Sequence, residues 1–320
     1  MSIATASPAA PGNSAYRVTG LLLAIGGVLA FSLRPLLIKL SYAHGADPVT
    51  LLFLRMSFSL PFFLAIALWL ARKGGGPRVE RRDLVMVGVL GFVGYYLASM
   101  LDFMGLQYVT AGIGRLLMFL YPTFVVVLSW LFLRKRIGAR EAGALALTYG
   151  GVGLVLSHAV AGANANLPLG AALILSSAFA YAVYLVMGSR VIGRIGSLRF
   201  TAWATTVACL FCIAQFLVLR PMAALDLPWQ VFALSGVMAV VSTVLPIFMT
   251  AEALRRIGAN PVAMAGALGP VSNIVIGHVG LGEDLTWIQG VGAVLILAGV
   301  LLVSLKTAQP KPVPPGDGAD

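Results

Sequence analysis

Four ionisable side chains stand inside stretches of this 320-residue chain that are long and apolar enough for a bilayer: Arg34, Arg55, Asp102 and Arg115. A lone charge at such depth costs at least ~2.5 kcal/mol on insertion scales, so these groups must face protein, water or a partner. Counted down from the outer ends of their stretches, all four fall about five to seven residues deep, roughly 8 to 10 Å. Three arginines against one aspartate leave an excess of positive charge. A guanidinium presents paired donors to a carboxylate or phosphate, so Arg34 and Arg115 are read as a cationic pocket for an anionic group. Asp102 and Arg55 are then charge partners, or Asp102 a proton carrier. Two plainer readings stand beside this one: arginines snorkelling to the outer interface, and Arg55 paired structurally with Asp102.

Around these charges, Tyr95, Tyr121, Tyr181 and Tyr184 fall near mid-stretch, where a hydroxyl seeks a partner. They read singly as packing and together as an aromatic pocket wall. Asn273 follows Pro270 by nearly one helical turn and is placed to donate to a ligand. Pro35, Pro122, Pro246 and Pro270 each remove a backbone donor inside an apolar run. The freed carbonyls either line a cavity or mark a packing kink, and Pro122 and Pro270 are taken as gating positions. Glu252 is expected to pair with Arg255 or Arg256. His158 and His278 read as interfacial anchors, and Cys209 with Cys212 as small packing residues.

Enzymatic readings find no support in the motifs. Ala233-Leu234-Ser235-Gly236 with His278 lacks the first glycine of a G-x-S-G protease motif. Asp102 has no second intramembrane aspartate for a dyad, and no phosphate-cradling loop is present. No cofactor and no metal site is expected.

Stepping outward, the elements that must position these residues follow from composition. Hydrophobic residues make up 59% of the chain and charged residues 10%, against about 25% charged in soluble domains. So few charges cannot cover the surface of a soluble protein, and most of it must face lipid. A membrane helix needs about 20 apolar residues, and ten such runs are predicted: 18–40, 48–71, 84–106, 111–133, 139–158, 168–189, 199–219, 230–254, 260–281 and 287–305. The fold class is thus an all-α integral membrane protein. Residues 1–16 and 306–320 read as disordered tails, and residues 1–16 lack the basic region of a secretory signal.

Orientation follows from the basic residues. With the N-terminus inside, 17 of the 22 Lys and Arg fall in cytoplasmic segments and only Lys39 and Arg220 fall outside; the other three are Arg34, Arg55 and Arg115. Both termini are therefore placed in the cytoplasm, and the net charge of +11 is a topology signal rather than a nucleic-acid footprint. The chain also repeats. Leu106 and Leu254, Ala111 and Ala259, and Pro122 and Pro270 each lie 148 positions apart. Charged turns follow the prolines, Arg134-Lys135-Arg136 in one copy and Glu283-Asp284 in the other. Five spans per copy is an odd number, so the second copy must be inverted. Inverted repeats are the architecture of secondary transporters, with the substrate near midplane between the halves.

These residues carry a resemblance. The stretch from Pro270 through Leu281-Gly282-Glu283-Asp284-Leu285 to Gly292–Val300, with Arg55 after Asp47-Pro48, resembles the EamA-type transporters of the drug/metabolite transporter superfamily over residues 17 to 305. Arg134-Lys135-Arg136 departs from that family's usual Gly-Glu-Arg. The resemblance implies a five-helix repeat at 17–158, an inverted one at 168–305, and a cavity lined mainly by spans 1, 3, 4, 6, 8 and 9. It also implies export or exchange of small metabolites such as amino acids. The expected protein is a secondary-active transporter of a small anionic or zwitterionic metabolite in the cell inner membrane, with the bilayer and the substrate as partners and a homodimer compatible. Its rivals are a proton-coupled exporter of cationic drugs, which wants an unpaired carboxylate in the cavity, and a non-transporting receptor or scaffold.

Overall fold

The computed structural model describes residues 14–73, 79–133, 138–161, 166–266, 268–283 and 286–307, and these are helical with short connections and no strand. Seven segments are long and apolar enough to cross a membrane: Ser14–Ala43, Pro48–Arg72, Arg81–Gly105, Ala111–Phe132, Leu167–Ile195, Ser197–Leu219 and Trp229–Ile257. Three shorter apolar helices, Ala142–Val155, Leu268–Leu281 and Trp287–Gly299, fall where the remaining predicted runs lie. One boundary expectation is corrected. Helix begins at Ser14, inside the predicted tail 1–16, and it persists through Lys306 and Thr307 at the other end. The rest of both tails, Arg134-Lys135-Arg136 and Asp284 lie outside the described residues.

Several segments are interrupted where the sequence places proline. The first divides into α1 (Ser14–Ser32) and α2 (Arg34–Ala43), with Pro35 in the first turn of α2, where a missing N–H costs nothing. The second, α3 (Pro48–Arg72), keeps Pro61 within a continuous helix. The third runs from α4 (Arg81–Gly91) through a π-helical turn, Phe92–Leu97, into α5 (Ala98–Gly105). The fourth breaks between α6 (Ala111–Met118) and α7 (Tyr121–Leu133), one residue before Pro122. Then come α8 (Ala139–Ala161), α9 (Leu167–Ile195) and α10 (Ser197–Leu219). A second π-helical turn, Val240–Val244, joins α11 (Trp229–Ala239) to α12 (Leu245–Ile257). Last are α13 (Ala259–Gly266), α14 (Leu268–Leu281) and α15 (Trp287–Thr307). The two π-turns begin 148 positions apart. The repeat therefore extends from residue identities to backbone distortions.

The principal partner of each first-half helix lies in the second half. α1 packs on α12, α3 on α10, α5 and α7 on α9, α6 on α14, and α8 on α15. Small residues make these approaches possible where lipid supplies no hydrophobic drive. A Cβ on Gly91 would come within 2.5 Å of the Ala204 carbonyl oxygen, and one on Gly94 within 2.3 Å of the Tyr184 side chain. Helices of equivalent spans run antiparallel. Ala111, at the start of α6, lies against Gly277 near the end of α14, while Phe119 lies against Gly269 near its start. In the same way Val155 meets Gly292 and Thr148 meets Gly299. Gly196 and Gly258, at φ +87° and +77°, turn the chain sharply into α10 and α13, a conformation open to glycine at little cost.

Candidate functional site

The interruption before α2 and the turn of α5 bring two of the four sequence-predicted charges together. Arg34 Nη2 donates to Asp102 Oδ2 at 2.8 Å, with both residues buried. The expected pairing of Asp102 with Arg55 is therefore corrected. Depth along each helix is legible from spacing, but direction around it is set by packing, and packing turns Asp102 toward α2. Arg55 instead crosses to the other half. Its Nε donates to Thr243 Oγ1 at 3.2 Å, in the second π-turn, and its guanidinium lies 5.5 Å from the Phe103 ring centroid. The Thr243 hydroxyl donates in turn to the Met238 carbonyl at 3.1 Å.

Arg115 takes a different position. It is 3% exposed, and its Nε and Nη2 have no hydrogen-bond partner among the described residues. Leaving a buried charged donor unpaired costs more than a kilocalorie or two per mole, so this guanidinium is poised for an acceptor. Its Cζ lies 4.8 Å from the centroid of Phe31, and Arg34 Cζ lies 4.9 Å from the same ring. Both cations thus share one aromatic ring. The two guanidinium carbons are therefore under 10 Å apart. Arg34 Nε and Arg55 Nη1 are likewise buried and, among the described residues, unpartnered.

The antiparallel contacts of α6 and α14 set Asn273 level with Arg115. Asn273 is 2% exposed; its Nδ2 donates to the Gly269 carbonyl at 2.7 Å, while its Oδ1 has no partner. Pro270 frees backbone acceptors in that turn, and the Asn273 amide uses one of the nearby carbonyls.

The four predicted tyrosines form one continuous array. Tyr95 and Tyr184 meet edge-to-face at 5.0 Å, with their hydroxyls 3.4 Å apart; Tyr121 and Tyr181 meet at 5.2 Å; Tyr181 stacks on Tyr184 at 5.8 Å. Phe119 extends the array toward Arg115, 6.3 Å from the Tyr121 ring. Tyr121 lies six residues beyond Arg115, roughly 9 Å along the helix axis. The charges and the aromatic wall are therefore stacked at successive depths.

Sequence reasoning missed what lies at one end of this column. Glu283, read from sequence only as a turn charge, reaches across the halves: its Oε1 accepts from the Ala111 amide at 2.6 Å and its Oε2 from the Gly112 amide at 3.1 Å. A carboxylate on the first amides of a helix satisfies orphan donors and complements the positive end of the helix dipole. The Glu283 carbonyl is held in turn by His278 Nδ1 at 2.8 Å. At the start of α3, Asp47 caps the helix through the amides of Val49 and Thr50 and pairs with Arg220 at 3.1 Å. Partial burial pushes the Asp47 carboxyl up, but Thr50, Arg220 and the Val49 amide outweigh it and hold it below its ordinary range. Phe31 and Thr243 were also missed, since neither type signals a site. At the opposite end Glu252 accepts from both Arg255 and Arg256, each as close as 2.6 Å.

Comparison with known proteins places this arrangement. The model of the EamA-like transporter family matches residues 18–157 and again 168–305. The uncharacterized transporter YcbK of Bacillus subtilis (strain 168) is 31% identical over 303 residues, covering 91% of this chain and 95% of its own. An uncharacterized transporter of Archaeoglobus fulgidus is 24% identical over 264 residues, covering 82% of this chain and 90% of its own. A solved crystal structure, 19% identical, superposes with a TM-score of 0.57 over 91% of this chain and 99% of its own, a likeness of fold.

Proposed function

Because this chain belongs to the EamA-like transporter family, we propose that it is a secondary-active exporter or exchanger of a small anionic or zwitterionic metabolite, such as an amino acid, working by alternating access. The observation that carries the charge of the substrate is Arg115: a buried guanidinium with two donor nitrogens unpaired, beside an Arg34 already neutralised by Asp102. A substrate carboxylate takes the Arg115 fork, the Asn273 Oδ1 is level with it to accept from a substrate ammonium, and the tyrosine array receives the side group. Export of a cationic drug wants a free carboxylate at this depth. Asp102, the one acid there among the described residues, is held by Arg34, which counts against that rival.

The reading treats the ten apolar helices as two inverted five-helix halves in the inner membrane, with both termini cytoplasmic. The antiparallel pairing of equivalent helices and the basic-residue asymmetry support this. Cysteine labelling from each side is the check: a cysteine at Lys306 should react only from the cytoplasm and one at Ala163 only from outside, and the reverse pattern at Ala163 would remove the inversion.

In alternating access the closed end needs a lock that opens cheaply. The Glu283 contact supplies one at the outer end. The equivalent position of the first half, 148 residues earlier, is Lys135, a residue type that offers no carboxylate to α13. The proposal is thus of a one-sided latch. The function itself is tested by a thermal-shift screen of purified protein against amino acids, organic acids and cationic drugs, followed by counterflow in liposomes. Anion or zwitterion hits that exchange support the reading; hits confined to cations contradict it.

A further inference from the structure

The arginines of the cytoplasmic end do more than set topology. Arg82 and Met86 of α4 and Met187, Arg190, Val191 and Arg194 of α9 line a cleft of about 500 Å³ between two helices from opposite halves of the chain. The three guanidiniums are not equivalent. Arg194 is committed: it pairs with the buried Asp83 carboxylate and lies 4.0 Å from Glu80. Arg82 and Arg190, one on each wall, have no ion-pair partner among the described residues, and both are exposed. The apolar part of the cleft is Met86, Met187 and Val191.

The burial pattern of α9 shows which way this cleft opens. Residues 169, 172, 176 and 179 are exposed on one face of α9 and residues 190 and 194 on the same face near its end, while Val183 and Met187 between them are half-buried. Tyr181 lies on the opposite side of the helix. Exposed apolar side chains on a membrane-spanning helix meet the acyl chains. Val85 and Val89 continue that surface on α4, at 64% and 51% exposed. The cleft therefore joins an apolar, lipid-facing surface to two unpaired guanidiniums at the cytoplasmic end.

We infer that this cleft is a binding site for an anionic phospholipid of the inner leaflet. The headgroup phosphate is bracketed by Arg82 and Arg190, and an acyl chain lies along Met86, Met187 and Val89. Arginine forks match phosphate oxygens in pairs, and the cytoplasmic leaflet is where anionic lipid meets basic clefts between membrane helices. A lipid bridging α4 and α9 holds together the helices that frame Tyr95 and Tyr184. It binds outside the transport pathway, so the inference stands or falls independently of the substrate.

The experiment is native mass spectrometry of the full chain in detergent, titrated with phosphatidylglycerol or phosphatidylcholine. The expected result is at least one phosphatidylglycerol held at least tenfold more tightly than phosphatidylcholine. That preference should be lost in Arg82→Gln/Arg190→Gln and kept in Arg72→Gln/Lys73→Gln, which removes the same charge from the same end of the protein. Single substitutions serve if the double variant is unstable, each with a partial loss. Retention of the preference in Arg82→Gln/Arg190→Gln, or equal loss in the control, would reduce the effect to general attraction and overturn the site. Full competition by millimolar inorganic phosphate would make the cleft a site for free phosphate and overturn the lipid assignment.

Discussion

Replacing Glu283 by glutamine should unlock the outer end of the protein. The carboxylate uses one oxygen for the Ala111 amide at 2.6 Å and the other for the Gly112 amide at 3.1 Å. Glutamine keeps one acceptor and turns the other into an NH2 group, which cannot accept from an amide. A hydrogen bond to a charged group contributes about 1.5–3 kcal/mol, and a neutral one about 1 kcal/mol. The exchange loses one charged bond outright and weakens the second, so roughly 1.5–3 kcal/mol leaves the outer-closed state. At about 1.4 kcal/mol per factor of ten, the population open to the outside should rise ten- to a hundredfold. Leu36, which lies against Gly280 at this end of α14, is a suitable reporter. In a background of Cys209→Ala/Cys212→Ala, Leu36→Cys should react faster with a membrane-impermeant maleimide once Glu283→Gln is added. Glu252→Gln, which disrupts the exposed pair at the opposite end, should leave that rate unchanged. An unaltered rate in a Glu283→Gln protein of unchanged melting temperature would refute the latch.

Two further expectations concern the pathway. Pro122→Ala and Pro270→Ala restore a backbone donor, the first beside the interruption between α6 and α7, and should stiffen the two repeat-related proline positions. Each should slow counterflow several-fold with little change in equilibrium binding; unchanged turnover in both would mark the prolines as packing features. Asp102→Asn removes the partner of Arg34 and frees a second guanidinium. Binding of an anion should hold or tighten about tenfold while the melting temperature falls, whereas loss of the pH dependence of flux would instead make Asp102 the proton carrier.

Much of the architecture was legible because length and apolarity alone define a membrane segment. The predicted run 48–71 meets the helix Pro48–Arg72, and 111–133 meets α6 and α7. Prolines announced the interruptions near 35 and 122, yet Pro61 sits in an unbroken helix. Removing a donor is thus compatible with a break but does not compel one. The π-turns at Phe92–Leu97 and Val240–Val244 were not read from the sequence, and the contacts found at them, Gly94 with Tyr184 and Arg55 with Thr243, join residues far apart in the chain. The depth shared by Arg34, Arg55, Asp102 and Arg115 came from counting residues, but which of them face each other did not. Glu283 stayed hidden for a related reason. Its partners lie 171 and 172 positions away, and an acidic turn at the outer surface already had a sufficient explanation in topology.

The central claim is that Arg115 and Arg34 hold the anionic group of the substrate, and equilibrium binding to the purified protein tests it most directly. With a ligand found by the thermal-shift screen, Arg115→Lys keeps the charge but loses the planar fork, so affinity should fall. Arg115→Gln should fall further, by about 1.5–3 kcal/mol for a lost charged hydrogen bond, or roughly ten- to a hundredfold. Arg34→Gln should weaken binding less, because Asp102 already occupies that guanidinium. Wild-type affinity and full transport in both Arg34→Gln and Arg115→Gln would contradict the account.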